Sequence, residues 1–209
     1  DYIHQTAQVP NGPKLHFFYQ QGQATKHWKK LPEILIAAFQ YMNIHFGAYP
    51  FSNFYVIQGG DGGMEYPMST LITGHRDLLS LVGVTVHEAL HNWYQGILAT
   101  NESYYHWMDE GYTSYASSLT MDHLMGADNN RSNTSHYTNY FSLVSSGKEE
   151  PMSTHADYFE TNFAYKGAAY SKGAVSLAQL GYVVGNSCLE DILLTYFDQW
   201  KFKHPNMYD

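Results

Sequence analysis

The stretch Val84-Thr85-Val86-His87-Glu88-Ala89-Leu90-His91 decides how the rest of the chain is read. It sets His-Glu-x-x-His inside a segment, from 78 to about 98, whose apolar residues recur mostly at helical spacing. Residues four apart on a helix share one face, with Cβ atoms about 5–6 Å apart. His87 and His91 can therefore turn both imidazoles toward one ion, and Zn²⁺ is the metal such a pair suits best. Glu88 lies one position on, about 100° around the helix. Its carboxylate falls beside the ion rather than on it, where it can address a water molecule.

A catalytic zinc keeps three protein ligands and one open position, so a third ligand must come from elsewhere in the chain. An extension with glycine at position 94 and histidine at position 97 would supply a third imidazole, but Tyr94 and Ile97 stand there. A carboxylate is needed instead. Glu102 falls in an expected turn. Glu110 opens the next expected helix, within Trp107-Met108-Asp109-Glu110-Gly111-Tyr112. A second helix packed across the first can aim a first-turn acid at the histidine pair, so Glu110 is the expected third ligand. Asp109 beside it can orient an imidazole.

Composition narrows the alternatives. The chain has 209 residues, 44% of them hydrophobic, enough to bury a sizeable core. Its net charge is −8 and its longest basic run is Lys29-Lys30, which disfavours a nucleic-acid-binding surface. No apolar stretch approaches the roughly 20 residues of a membrane span. Cys188 is the single cysteine, so neither an internal disulfide nor a cysteine-based metal site is possible and any metal must rest on histidines and carboxylates. The low lysine content and many Tyr, Asn and Ser residues suit an exported protein.

Periodicity and turn residues predict a short strand over 15–19, a helix over 25–46, and strands over 51–58 and 69–73 joined by the glycine loop Gly59-Gly60-Asp61-Gly62-Gly63. Helices follow over 78–98, 108–125, 168–184 and 188–202. The polar stretch 128–157 shows no period and reads as a long loop. Glu65 comes just after the glycine loop, beside a strand edge. An extended substrate could pair with backbone there while a carboxylate captures its ammonium group.

At this point the pattern resembles the aminopeptidase N family of gluzincin zinc peptidases: HExxH, eighteen intervening residues, then Glu in a Trp-Met-Asp-Glu-Gly-Tyr setting. Gly62-Gly63-Met64-Glu65-Tyr66 is similar to that family's GxMEN motif, and Tyr170-Ser171-Lys172-Gly173-Ala174 to its YxKGA motif, in the same order. Tyr165-Lys166-Gly167 copies part of the latter but lacks the spacer before lysine, so Tyr170 is taken over Tyr165. His155 is given no role. The resemblance covers roughly residues 25–202. It departs from the family at Tyr66, where the motif has Asn, and over Asn92-Trp93-Tyr94-Gln95-Gly96, which keeps the Trp but not the whole pattern.

The resemblance implies an α+β, thermolysin-like fold, with a small sheet whose edge strand lines a cleft floored by the HExxH and Glu110 helices. Residues 1–23 are expected to be a lead-in and 24–209 the catalytic domain of a longer protein, which would add an N-terminal β domain and a C-terminal helical domain. One Zn²⁺ per chain is expected on His87, His91 and Glu110. Glu88 would be the general base, Tyr170 a transition-state donor, and Gly62, Gly63 and Glu65 the substrate-binding segment, with Glu65 anchoring the amine. The expected reaction is removal of N-terminal residues from peptides. An endopeptidase, or a non-catalytic peptide-binding domain of the same fold, would share most of these residues.

Overall fold

Alternation along the chain builds one five-stranded sheet. In β2 (Lys14–Gln20) Leu15, Phe17 and Tyr19 are buried, in β3 (Asn53–Gly59) Phe54 and Val56, and in β5 (Ser69–Thr73) Thr70 and Ile72. With β1 (Tyr2–Gln8) and β4 (Gly63–Tyr66), the order across the sheet is β1-β2-β3-β5-β4. The pairs β2/β3 and β3/β5 are parallel, while β1/β2 and β4/β5 are antiparallel. The computed structural model describes residues 1–23, 25–126 and 133–209. They form two compact units, Asp1–Asn92 and Trp93–Asp209.

The first unit holds the sheet and two helices. Helix α1 (Leu31–His45) buries Leu31, Leu35, Ala38, Phe39 and Met42, at three- and four-residue steps. It starts later than the sequence predicts, after a 3₁₀ turn at Trp28–Lys30. There the Trp28 indole is buried and donates to the Gly74 carbonyl at 3.2 Å. Helix α2 (Leu78–His91) is capped by Asp77, whose side chain accepts from the Ser80 N–H at 2.9 Å. It packs on β4, β5 and α1.

The second unit is helical: α3 (Glu102–His106), α4 (Tyr112–Met125), α5 (Asn133–Ser145), α6 (Asn162–Lys166), α7 (Gly173–Val184) and α8 (Asn186–Trp200). Tyr115, Ala174, Leu177, Leu189 and Leu193 form a core between α4, α7 and α8. No helix among the described residues is long and apolar enough to cross a membrane.

Three features differ from the sequence reading. Residues expected as a lead-in with one short strand at 15–19 supply two strands of the sheet: β2 covers that candidate, whereas β1 is half polar, Tyr-Ile-His-Gln-Thr-Ala-Gln, and carries no alternating apolar signal. The stretch expected as a loop contains α5, which buries only Leu143 and so has no apolar period. Leu143 seats against Gly167, where a Cβ would come within 2.7 Å of Leu143 Cδ2. The part of that stretch at 128–132 lies outside the described residues. Finally, π-helical turns occupy Asn92–Ile97, Trp107–Gly111 and Gly167–Lys172, each adjoining or containing a sequence-predicted site residue.

Candidate active site

In the first unit, α2 presents His87 and His91 with their Nε2 atoms 3.2 Å apart and their rings nearly perpendicular, at 88°. Tetrahedral coordination at about 2.05 Å would separate two ligand nitrogens by roughly 3.3 Å. The pair therefore fits one shared ion of that kind. Glu88 is buried beside it, with 6% of its surface exposed.

Edge strand β4 runs along this helix. A Cβ added at Gly63 would collide with Glu88 Oε1 and lie 2.5 Å from Val84 Cγ2, so only glycine lets the strand backbone come this close to the carboxylate. A carboxylate oxygen from each of Glu65 and Glu88 and a ring nitrogen of His91 lie within 4.8 Å of one another. Glu65 lies on the edge strand itself. Tyr66 points to the opposite, exposed face of the strand and is absent from the Glu65 face. The loop before β4 is pinned by Arg76, which donates to the Gly62 carbonyl at 2.6 Å, and by Thr73, which donates to the Asp61 carbonyl. Thr70 donates to the Met64 carbonyl at 3.0 Å.

In the second unit, two motif glycines place the remaining residues. Gly111 and Gly173 meet back to back: a Cβ on Gly111 would lie 2.8 Å from the Gly173 Cα. Glu110 precedes one of them and Tyr170 lies three residues before the other. The Tyr170 hydroxyl donates to Glu110 Oε1 at 2.5 Å. Burial, then the Glu110 carboxylate, pushes the Tyr170 phenol far above its ordinary value, so it remains a protonated donor. Glu110 and Asp109 are both buried.

The π turn carrying Tyr170 is anchored by Lys172, whose ammonium lies 2.6 Å from Glu149 Oε1; Tyr140 donates to the same oxygen at 2.9 Å. These two bonds, Lys172 first, hold the Glu149 carboxyl below the usual carboxylate range. Tyr165 packs its ring against His106 and Phe159, at centroid distances of 5.2 and 5.6 Å. His155 accepts from the Asp157 N–H, a local turn contact.

His106 was not singled out by the sequence. Its ring is buried against Phe159 and Tyr165, and neither nitrogen has a hydrogen-bond partner among the described residues. Burial lowers its pKa from the ordinary 6.5, opposed by Glu110 and aided by His155. Below pH 6.5 the unfolded chain therefore binds a proton here that the folded chain resists, and stability falls as pH falls. His106→Phe is expected to lose less melting temperature than wild type between about pH 7.5 and about pH 5. Equal losses in thermal melts would show that this histidine does not set the acid limb. Arg76 and Glu149 were missed as well, because their roles depend on partners 14 and 23 residues away.

Residues 33–209 match the family model described as the peptidase family M1 domain. Among curated relatives, "Aminopeptidase B" of Rattus norvegicus is 30% identical over 155 residues, covering 68% of this chain and 23% of its own length. "Leucine aminopeptidase 2" of Aspergillus clavatus is 29% identical over 169 residues, covering 71% of this chain and 25% of its own. The chain thus spans about a quarter of the length of these relatives. Among solved structures, an M1 zinc metallopeptidase from Deinococcus radiodurans superposes on 100% of this chain and 46% of its own, with TM-score 0.76 and 19% identity. Yeast LTA4 hydrolase covers 98% of this chain and 35% of its own, with TM-score 0.76 and 17% identity. The structural likenesses speak for the fold, which is α+β and of the M1 metallopeptidase type. The family match takes in most of the sequence, both histidines, the three motif acids Glu65, Glu88 and Glu110, and Tyr170, and on that ground the chain belongs to peptidase family M1.

Proposed function

We propose that this chain is the catalytic part of a longer zinc aminopeptidase, with His87, His91 and Glu110 as the ligands of one Zn²⁺. The observation that carries the reading is the acid cluster beside the histidine pair, where Glu65, Glu88 and His91 converge within 4.8 Å. One acid suffices for proton transfer. A second, on a strand edge, suits the ammonium of a peptide N-terminus. The aminopeptidase names of the curated relatives agree with this reading.

Zinc in such a site supplies Lewis acidity and brings the pKa of water toward about 7. Glu88 accepts the proton of the attacking water and afterwards passes it to the leaving amine. Tyr170, held protonated, donates to the substrate carbonyl oxygen as it becomes an oxyanion. Gly62 and Gly63 offer backbone to an extended substrate, and Glu65 fixes its free amine. The parent protein would add an N-terminal β domain and a C-terminal helical domain.

The test compares the full-length protein on one peptide with a free and with an acetylated N-terminus. A hydrogen bond to a charged group is worth about 1.5–3 kcal/mol, so wild type should prefer the free peptide by on the order of 10- to 100-fold. Glu65→Gln should abolish most of that preference. Equal cleavage of both peptides by wild type would favour an endopeptidase.

A further inference from the structure

Among the described residues the short strand β4, an edge strand of four residues, pairs only with β5, and two hydrogen bonds involving side chains that flank or open α2 contribute to its placement. At its start, Arg76 holds the Gly62 carbonyl while also donating to Ser80 in the first turn of the helix, at 2.9 Å. At its end stands Asn92, the residue after His91. It is buried, with 4% of its surface exposed, and its backbone N–H bonds to the carbonyls of Ala89 and Leu90. Its Oδ1 accepts from the Met68 N–H at 2.7 Å.

Met68 is an unusual residue to hold. Tyr66 pairs with Ser69, so Pro67 and Met68 are the two-residue connection between β4 and β5. Met68 has φ of +59°, in the left-handed region. Proline followed by a residue at positive φ is the signature of a type II turn, whose second position normally takes Gly or Asn. Two-residue hairpins favour the mirror-image turns, whose twist matches that of the strands. A methionine in this place carries both the steric cost of a left-handed residue and the wrong twist. It is fixed from two sides, its N–H by Asn92 and its carbonyl by the Tyr55 N–H at 2.9 Å.

Resting on the aminopeptidase reading, we propose that Asn92 is a positioning residue for Glu65: it clamps the strained Pro67-Met68 turn and so fixes where β4 lies along the helix that bears His87, Glu88 and His91. The sequence of contacts along β4 agrees. Gly63 lies on Val84 and Glu88, Glu65 near Glu88 and His91, and Met68 on Asn92. Releasing the last contact lets the strand drift over the helix and carries the amine anchor with it, while leaving the histidine pair in place.

The test measures KM, kcat and zinc content of the full-length protein on a peptide with a free N-terminus. Asn92→Ala is expected to raise KM about tenfold, the scale of one lost hydrogen bond, with kcat changed less and zinc retained. Met68→Gly in that background should recover most of the loss, because glycine takes the left-handed turn without steric cost. In a Glu65→Gln background, Asn92→Ala should add little further loss, which a general structural defect would not reproduce. An unchanged KM, a loss that Met68→Gly leaves in place, or an equal loss in the Glu65→Gln background would overturn the proposal. If Asn92→Ala alone does not fold, Met68→Gly is expected to restore folding, and a double variant that stays unfolded overturns it too. A wild type without any preference for free over acetylated peptide overturns the aminopeptidase reading along with it. A wild type with that preference and an inert Asn92→Ala overturns only the role of Asn92.

Discussion

Glu88→Gln is expected to lower kcat on the order of 10²–10⁴-fold, the range that a positioned general acid–base contributes, while the protein keeps its fold and its zinc. The amide matches the carboxylate in shape, so the close seat against Gly63 survives. It cannot accept the proton of the attacking water, and it has no proton of carboxylic acidity to return to the leaving amine. Glu88 is one position off the face shared by His87 and His91, so metal content should be unchanged. Turnover of a free-amine peptide together with metal analysis of the same sample checks both halves. Near wild-type turnover would remove Glu88 as base and reopen the non-catalytic peptide-binding reading.

Tyr170→Phe is expected to cost about 10²–10³-fold in kcat, the usual effect of removing one oxyanion donor, with little change in KM. The split follows from when the bond is made: the hydroxyl meets a carbonyl oxygen whose charge develops only in the transition state. Burial and Glu110 keep the phenol protonated, so it is a donor throughout the working pH range. Tyr165→Phe serves as the control, because that ring packs among His106 and Phe159. A large loss with Tyr165→Phe and none with Tyr170→Phe would mean the wrong tyrosine carries the role.

The parts of the fold legible in the sequence are those whose residues report on themselves. Helix α2 shows its period and its His-Glu-x-x-His spacing in one continuous stretch, and α8 shows an apolar stripe ending near Phe197. What stayed hidden depends on partners far along the chain. Strand β1 has no alternation of its own and forms because β2 offers a hydrogen-bonding edge. Helix α5 buries only Leu143, which seats on Gly167, and its Tyr140 bonds to Glu149.

The site follows the same division. Residue types and spacing pointed to His87, His91, Glu88 and Glu110, and the family resemblance to Tyr170 and Glu65. The contacts around them did not show: Gly111 against Gly173, Gly63 against Glu88, Lys172 with Glu149, and, at the end of the strand that bears Glu65, Asn92 on Met68. Each joins residues that are distant in sequence, so no local spacing announces the contact. Nor does any local residue pattern announce the π turns.

Metal analysis of the purified full-length protein, with His91→Ala and Glu110→Ala beside wild type, tests whether His87, His91 and Glu110 hold one zinc. About one zinc per chain is expected in wild type, and loss of most of it, or a steep fall in affinity, in both variants. Glu110→Ala retaining full zinc with unchanged affinity would contradict it.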